Sequence, residues 1–245
     1  MKAIILAAGM GRRLKPLTDD LPKAFITING KPLIYRSLDC LRAVGIKTVI
    51  IVVGFMESFF KKKIGETYHD MNILYTSNKK YSTTGSMYSL SQTESLIDDD
   101  ILLLESDLLY EQRAVEELVN HDYPNIILTS EIRRTGDEVY IYYDKNGYLT
   151  KLGKNIDDSN ALGELVGINK ISFSFLEKLF DISKEDYNKG EMKYHYEETI
   201  YKLCREVPVK CHMIKDLVWT EIDTYEDLQR AKKYIYSKII DGREG

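Results

Sequence analysis

The 245-residue chain is predicted to fold as an α/β protein with a doubly wound, mostly parallel sheet. Short apolar segments such as Thr48–Val53 alternate along the chain with amphipathic helical segments. A strand with no polar positions is typical of a parallel sheet that helices cover on both faces. In addition, the first apolar segment leads into a loop rich in glycine and arginine, and open α/β sheets bind ligands at that edge.

The first half of the chain supplies the alternating elements. The predicted strands are residues 2–6, 48–53, 72–76, 101–105 and 125–130. The predicted helices are residues 32–44, 57–64, 86–96 and 112–120. Pro32 is suited to the first turn of its helix, and Gly45 is suited to end it.

From Glu138 onward the pattern changes. The stretch VYIYYDKNGYLTKL predicts two strands around an Asn146-Gly147 turn, because that dipeptide favours tight hairpins. Strands are then predicted at 165–169, 208–213 and 218–220, and helices at 172–180, 196–205 and from 224 to about 237. The sheet is therefore expected to carry a small β-hairpin and helical extension.

Composition limits the function classes. With 44% hydrophobic and 29% charged residues, the chain has the composition of an ordinary soluble protein. A net charge of -4 argues against a nucleic-acid-binding surface, so Lys61–Lys63 is interpreted as a solvated helix face. No apolar run has transmembrane length, and the run at 3–8 is too short for the core of a signal peptide. Cys40, Cys204 and Cys211 are expected to be reduced, which favours a cytoplasmic location without membrane attachment.

The loop after the first strand contains the parts of a polyphosphate site. Gly9 and Gly11 allow the backbone to approach a nucleotide closely, Arg12 or Arg13 can bind phosphate oxygens through two donors, and Lys23 adds a point charge. This is not the GxGxxG of a dinucleotide-binding domain, which needs no cation in the loop. The pattern indicates a nucleoside triphosphate held for attack at its α-phosphate.

The stretch LAAGMGRRLKPLTDDLPKAF resembles the nucleotidyltransferases that activate sugar phosphates and small alcohol phosphates, whose signature is a GxGxRL-type loop followed by Pro-Lys. INGKPLIYRSLDCLRAVGI is similar to the same family. The resemblance implies a Rossmann-like nucleotidyltransferase sheet, with Arg13 and Lys23 as catalytic cations. The implied nucleotide-binding residues of the loop are Leu6, Ala7, Ala8, Gly9 and Gly11.

The resemblance also implies a Mg²⁺ site held by Asp107, after the predicted strand 101–105, and by Asp223, just before the last helix. Carboxylates combined with phosphate oxygens suit Mg²⁺. The alternative is that each aspartate only caps the next helix, and that Glu221 is a surface charge. An acceptor oxyanion needs no catalytic base, so catalysis is expected to depend on positioning and on cations. Lys154 is the predicted third cation, with Lys151 as its competitor.

The stretch NKKYSTTGSMYSL predicts further contacts. Gly85 and Ser86 match the Gly-Thr that approaches the base in sugar nucleotidyltransferases, and Asn78 is suited to read a pyrimidine edge. Hydroxyls beside a helix N-terminus suggest an anion site for the acceptor, although they are equally suited to cap that helix. These hydroxyl residues are Ser82, Thr83 and Thr84. The run resembles the branch that includes phosphocholine and 2-aminoethylphosphonate cytidylyltransferases.

That branch implies CTP as the nucleotide and a zwitterionic phosphonate or phosphate as the acceptor. The predicted acceptor-binding residues are Glu164, Tyr196, Glu197 and Glu198. A primary amine requires hydrogen-bond acceptors, whereas a quaternary ammonium prefers an aromatic box, and the chain has only Trp219 among many tyrosines. The hydroxyl-rich loop and these acidic residues favour 2-aminoethylphosphonate over phosphocholine. A sugar-1-phosphate nucleotidyltransferase and a non-catalytic nucleotide-binding regulatory module remain alternatives.

The expected organisation is a single domain over residues 1–240. It comprises a nucleotide-binding core at about 1–135, an acceptor-binding part at about 136–222, a C-terminal helix at 223–238 and a frayed tail at 241–245. A homodimer is a further expectation.

Overall fold

The computed structural model describes residues 1–154, 156 and 159–241, so most of the predicted tail lies outside the described residues. The strands are β1 Lys2–Ala7, β2 Thr27–Ile28, β3 Lys31–Pro32, β4 Thr48–Val53, β5 Thr67–Tyr68, β6 Met71–Ser77, β7 Ile101–Glu105, β8 Leu108–Tyr110, β9 Ile126–Ser130, β10 Tyr140–Tyr143, β11 Leu149–Gly153, β12 Gly163–Ile171, β13 Lys210–Ile214 and β14 Trp219–Glu221. The helices are α1 Leu33–Ala43, α2 Glu57–Ile64, α3 Ser86–Ser91, α4 Arg113–Asn120, α5 Phe173–Asn188, α6 Tyr196–Leu203, α7 Tyr225–Arg230 and α8 Tyr236–Asp241.

Ten of the strands form one mixed sheet. Its centre is parallel, in the order β7-β1-β4-β6. The long strand β12 pairs antiparallel with β7, β9 and β10, and β13 lies beyond β9. The doubly wound, mostly parallel sheet is thus confirmed, and β12 is the antiparallel strand that joins its two halves.

Apolar residues of the central strands face both sides of the sheet. In β1, Ala3 and Ile5 pack in a core with α1, α2 and α4. Ile4, which points the other way, packs in a second core with α3, α5 and α6. Because successive side chains of a strand alternate, two helical layers require a strand that is apolar at every position.

The C-terminal helices pack against the N-terminal loop. Leu14 and Ile26 from the loop share a third apolar cluster with Ile222, Leu228 and Ala231. Strand β14 pairs antiparallel with β8, with Glu221 opposite Leu108, and the Ile222 amide donates to the Asp107 carbonyl at 3.0 Å. The last segment of the chain is therefore fixed against the end of β7.

Several predicted boundaries were wrong. The helix expected at 86–96 ends at Ser91, and a 3₁₀ turn covers Glu94–Leu96. The helix expected at 172–180 continues to Asn188, and beyond Phe180 its inner face consists of Ile182, which packs against the second core, and the buried Ser183 and Asp186. The C-terminal helix is divided by a π-helical turn at Ala231–Ile235 and reaches Asp241. The small pairs β2–β3 and β8–β14 were not predicted, since strands of two or three residues leave little periodicity.

No helix within residues 1–154 and 159–241 combines the length and the apolar character that crossing a bilayer requires.

Candidate active site

The glycine-rich loop borders a cavity at the carboxyl ends of β1 and β7. The cavity has a volume of about 280 Å³, and its lining includes Ala8, Gly9, Lys23, Gly85 and Asp107. Gly11 adopts a left-handed φ of 59°, and a Cβ there would lie 3.0 Å from Thr18 Cγ2, so glycine is required for this turn. Arg12 and Arg13 are both largely exposed, but only Arg13 reaches the carboxylates of the site.

The ammonium of Lys23 lies between the two predicted metal ligands. Its Nζ donates to Asp107 Oδ2 at 2.6 Å and also to Asp223 Oδ1. All three side chains are at most 17% exposed. Burial alone would lower the pKa of Lys23, but Asp107 and Asp223 raise it above its usual value. The structure thus brings Lys23, Asp107 and Asp223 together across 200 positions of sequence.

Two further carboxylates complete this cluster. Glu105, Asp107 and Glu221 each offer an oxygen, and the three oxygens lie within 4.8 Å of one another. Burial raises the pKa of Glu105 to about 8, with Asp107 and Glu197 adding to the effect, and burial also raises that of Glu221. Oδ1 of Asp107 is buried and has no hydrogen-bond partner among the described residues. An all-oxygen donor set with an unsatisfied carboxylate fits Mg²⁺.

The last residue of β14, Glu221, is not the surface charge that the sequence allowed. The pairing of β14 with β8 places it in the carboxylate cluster. Asp223 does precede the helix α7, yet Thr224 is the residue that caps it by accepting from the Asp227 amide. Asp223 is therefore free of the capping role that the sequence allowed for it.

The remaining predicted cations meet at one carboxylate. Arg13 Nη1 donates to Asp137 Oδ2 at 3.0 Å, and Lys154 Nζ donates to Asp137 Oδ1 at 3.0 Å. Arg13 also pairs with Asp223. Burial would raise the pKa of Asp223, but Lys23 above all, then a hydrogen bond with Glu221 and the charge of Arg13, lower it to about 2. Among the described residues, Lys151 contacts the ring of Tyr142 and does not line these cavities.

A second cavity of about 210 Å³ adjoins these cations. Its lining includes Arg13, Lys154, Glu164, Glu197 and Trp219. Glu197 is 8% exposed, and its Oε2 is buried and unpaired within the described part of the chain. Burial raises the pKa of Glu197. The buried carboxylate of Glu197 therefore lines the same cavity as the cations Arg13 and Lys154.

Glu164 in this cavity already has a partner. Arg133 donates to it through its backbone amide at 3.2 Å and through Nε, and the Arg133 guanidinium carbon lies 3.5 Å from the centroid of the Trp219 ring. Tyr196, by contrast, is fully buried, and its hydroxyl donates to Glu105 Oε1 at 2.9 Å. Tyr196 therefore supports the carboxylate cluster through its hydrogen bond to Glu105. Its predicted contact with an acceptor stays a prediction.

In the loop at 78–86, the contacts of Asn78 and Gly85 are with other parts of the protein. Asn78 is buried, and its amide nitrogen donates to Thr84 Oγ1 and Ser89 Oγ, both at 3.0 Å. A Cβ on Gly85 would lie 1.9 Å from the Tyr194 carbonyl oxygen, so glycine is required where the loop meets the segment before α6. Base contacts by Asn78, Gly85 and Ser86 remain predictions.

The hydroxyl residues of this loop lie apart from the cavity of Glu164 and Glu197. Thr83, Thr84 and Glu198 border another cavity, of about 620 Å³, and Ser82 is exposed beside them. Glu198 accepts from the His195 amide at 2.9 Å and so helps to cap α6. Five of the seven predicted acceptor residues therefore line two separate cavities, and one of these five, Thr84, also borders the nucleotide cavity. Ser82 and Tyr196 line none of these three cavities.

Sequence reasoning missed four charged residues of the site: Glu105, Arg133, Asp137 and Glu221. Glu105 was recognisable as the end of a buried strand, at the edge where ligands bind. Glu221 lies two residues before the predicted ligand Asp223, but its place in the cluster follows only from the pairing of β14 with β8. Arg133 and Asp137 lie in a segment without a local motif, and the loop between β9 and β10 brings them to the site.

The fold and the carboxylate-cation site match what the nucleotidyltransferase resemblance of the sequence implies. The chain belongs to the nucleotidyl transferase family, whose model matches residues 2–131.

Similar proteins support this assignment. A bifunctional IPC transferase and DIPP synthase of Aquifex aeolicus is 28% identical and aligns with 98% of this chain. A CMP-5'-(3-aminopropyl)phosphonate synthase of Streptomyces rubellomurinus is 26% identical over 94% of the chain. The chain spans only 53% and 38% of the lengths of these two relatives.

The solved structure of a CTP:phosphocholine cytidylyltransferase from Streptococcus pneumoniae superposes with a TM-score of 0.79 at 25% identity. The match covers 95% of this chain and 97% of that one. It shares the fold described above over nearly its whole length.

Proposed function

We propose that this protein is a Mg²⁺-dependent cytidylyltransferase that condenses CTP with 2-aminoethylphosphonate, giving CMP-2-aminoethylphosphonate and pyrophosphate. The relatives support the class of reaction, because one is a CMP-5'-(3-aminopropyl)phosphonate synthase and another is a CTP:phosphocholine cytidylyltransferase. The nucleotide is assigned to the cavity beside the glycine-rich loop.

The observation that carries the acceptor assignment is the unpaired buried carboxylate of Glu197. It shares the 210 Å³ cavity with Arg13 and Lys154. A zwitterionic acceptor satisfies both ends of such a cavity, since its ammonium can donate to Glu197 while its phosphonate faces the cations. A sugar phosphate offers only hydroxyls to that carboxylate.

The chain's cations would position the reacting groups. Lys23, which borders the nucleotide cavity, binds the triphosphate. Arg13 and Lys154, which border the acceptor cavity, hold the acceptor phosphonate beside the α-phosphorus. A phosphonate oxygen, already ionised at neutral pH, forms the new P–O bond while the bond to pyrophosphate breaks in line. No side chain needs to remove a proton.

Asp107 and Asp223 are the residues that would hold Mg²⁺, with Glu105 and Glu221 beside them. When bound, the ion supplies charge neutralisation at the α-phosphate. The unsatisfied Asp107 Oδ1 and the oxygen-only cluster of Glu105, Asp107 and Glu221 support the role of Asp107. Asp223 lies outside that cluster and is joined to Asp107 through the Lys23 ammonium, so its role as a ligand rests on the family resemblance.

Phosphocholine is the second candidate, because Trp219 borders the same cavity and because a structural neighbour bears that activity in its name. An indole face suits a quaternary ammonium. In this structure, however, the guanidinium of Arg133 covers that face.

The experiment is pyrophosphate release from the four nucleoside triphosphates, each tested with 2-aminoethylphosphonate, phosphocholine, phosphoethanolamine and glucose 1-phosphate. We expect turnover with CTP and 2-aminoethylphosphonate. Turnover with sugar phosphate alone would refute the amine pocket, and no turnover with any pair would favour a non-catalytic nucleotide-binding module.

A further inference from the structure

The loop between β9 and β10 carries two opposite charges into the cavity assigned to the acceptor. Its positive end is Arg133, which lies on the Trp219 ring and pairs with Glu164. Glu164 is only 1% exposed, so this ion pair is formed with a buried carboxylate. The guanidinium therefore occupies the aromatic and acidic surface that would suit an ammonium group.

The negative end of the loop is Asp137. Each of its carboxylate oxygens accepts from one cation at 3.0 Å, Oδ2 from Arg13 and Oδ1 from Lys154. A carboxylate that bridges two cations occupies the position in which the acceptor's phosphonate oxygens would be held.

The turn between these two ends is constrained. Arg134 and Gly136 adopt left-handed φ values of 56° and 96°. Glu138, which is 7% exposed, holds the turn by accepting from the Gly136 amide at 3.0 Å and from the Thr135 amide. In the free protein the loop is thus an ordered turn that places one cation and one anion in the cavity.

We propose that residues 133–137 act as an internal zwitterion that competes with the acceptor for its site. In the free protein Asp137 pairs with Arg13 and Lys154, and Arg133 covers Glu164 and Trp219, while Glu197 keeps an unpaired oxygen. On binding, the acceptor's phosphonate replaces Asp137 at the two cations, and its ammonium enters beside Glu197 and displaces Arg133 from the neighbouring wall of the cavity. This inference rests on the proposed function. Its consequence is selectivity, because an acceptor with only one of the two charges cannot replace both ends of the loop.

Kinetics of charge-neutral variants test the competition. Arg133→Gln and Asp137→Asn should each lower the KM for 2-aminoethylphosphonate about threefold to tenfold at saturating CTP, because a larger fraction of the protein has an open site. Arg36→Gln is the matched control, since Arg36 also lies over an aromatic ring, that of Tyr236 at 4.7 Å, but borders neither cavity. Its KM should equal that of the wild type.

A second readout does not depend on turnover. Trypsin cleaves after arginine, so the rate of cutting at Arg133 and Arg134 reports whether the loop is held. Adding 2-aminoethylphosphonate should speed this cleavage, as followed by mass spectrometry, while glucose 1-phosphate should leave it unchanged.

Three results would overturn the proposal. A raised acceptor KM in Arg133→Gln would make Arg133 a binding residue, and slower cleavage with acceptor would make the loop a lid. An unchanged KM in both variants would show that the loop does not compete. Failure of the proposed function itself would appear differently, as an absence of turnover by the wild type with every aminoalkyl acceptor.

Discussion

Replacing Lys23 by methionine tests whether this ammonium stabilises the carboxylate cluster in the absence of metal. Lys23 pairs with Asp107 and Asp223, and these side chains are 11%, 17% and 15% exposed. After the change Asp223 still forms an ion pair with Arg13, whereas Asp107 loses its ion pair with Lys23. Removing one member of a mostly buried ion pair costs about 3–5 kcal/mol, and we expect a value near the lower end.

The corresponding fall in Tm is about 6–12 °C for a chain of this length, measured by thermal unfolding in chelator. Mg²⁺ in excess should raise the Tm of Lys23→Met more than that of the wild type. The ion then binds the carboxylates without competing with an ammonium, and ligand binding to the folded state adds stability.

Lys47→Met is the matched control, because Lys47 pairs with Asp70 at a surface where the two side chains are 68% and 48% exposed. Such a pair contributes about 0–1 kcal/mol. The reasoning would be refuted if Lys23→Met melted like Lys47→Met, or if Mg²⁺ shifted the Tm of wild type and Lys23→Met equally.

Three further changes address the two cavities. Asp107→Ala should reduce pyrophosphate release about a hundredfold or more through loss of charge stabilisation at the α-phosphate, and wild-type turnover in this variant would remove Asp107 from the mechanism. Gly85→Ala places a Cβ 1.9 Å from the Tyr194 carbonyl, so both Tm and CTP affinity should fall. Its control is Gly153→Ala, whose Cβ meets no described atom closer than 3.5 Å and should leave the Tm nearly unchanged. Glu197→Gln should raise the KM for 2-aminoethylphosphonate about tenfold to a hundredfold, while an unaltered KM would place the amine elsewhere.

The family could be recognised in the sequence because the glycine-rich loop is local. Gly9, Gly11, Arg13 and Lys23 lie within one short segment, where turn geometry and charge can be inferred from residue type alone. The parallel centre of the sheet could also be predicted from local sequence, because strands that are buried on both faces are apolar at every position.

The tertiary structure decided which charges share the site. Asp223 reaches Asp107 only because β14 pairs with β8, and this pairing also brings in Glu221. The pairing partner of a three-residue strand cannot be predicted from sequence, because its hydrophobic pattern is too short to fix a register.

The acceptor side depended on the fold even more strongly. Glu164 was predicted from the sequence to bind an amine. The structure shows that Arg133 already pairs with Glu164, and that Glu197 has an oxygen without a partner among the described residues. Whether a carboxylate is satisfied depends on groups far away in sequence, so residue type and spacing along the chain cannot determine it.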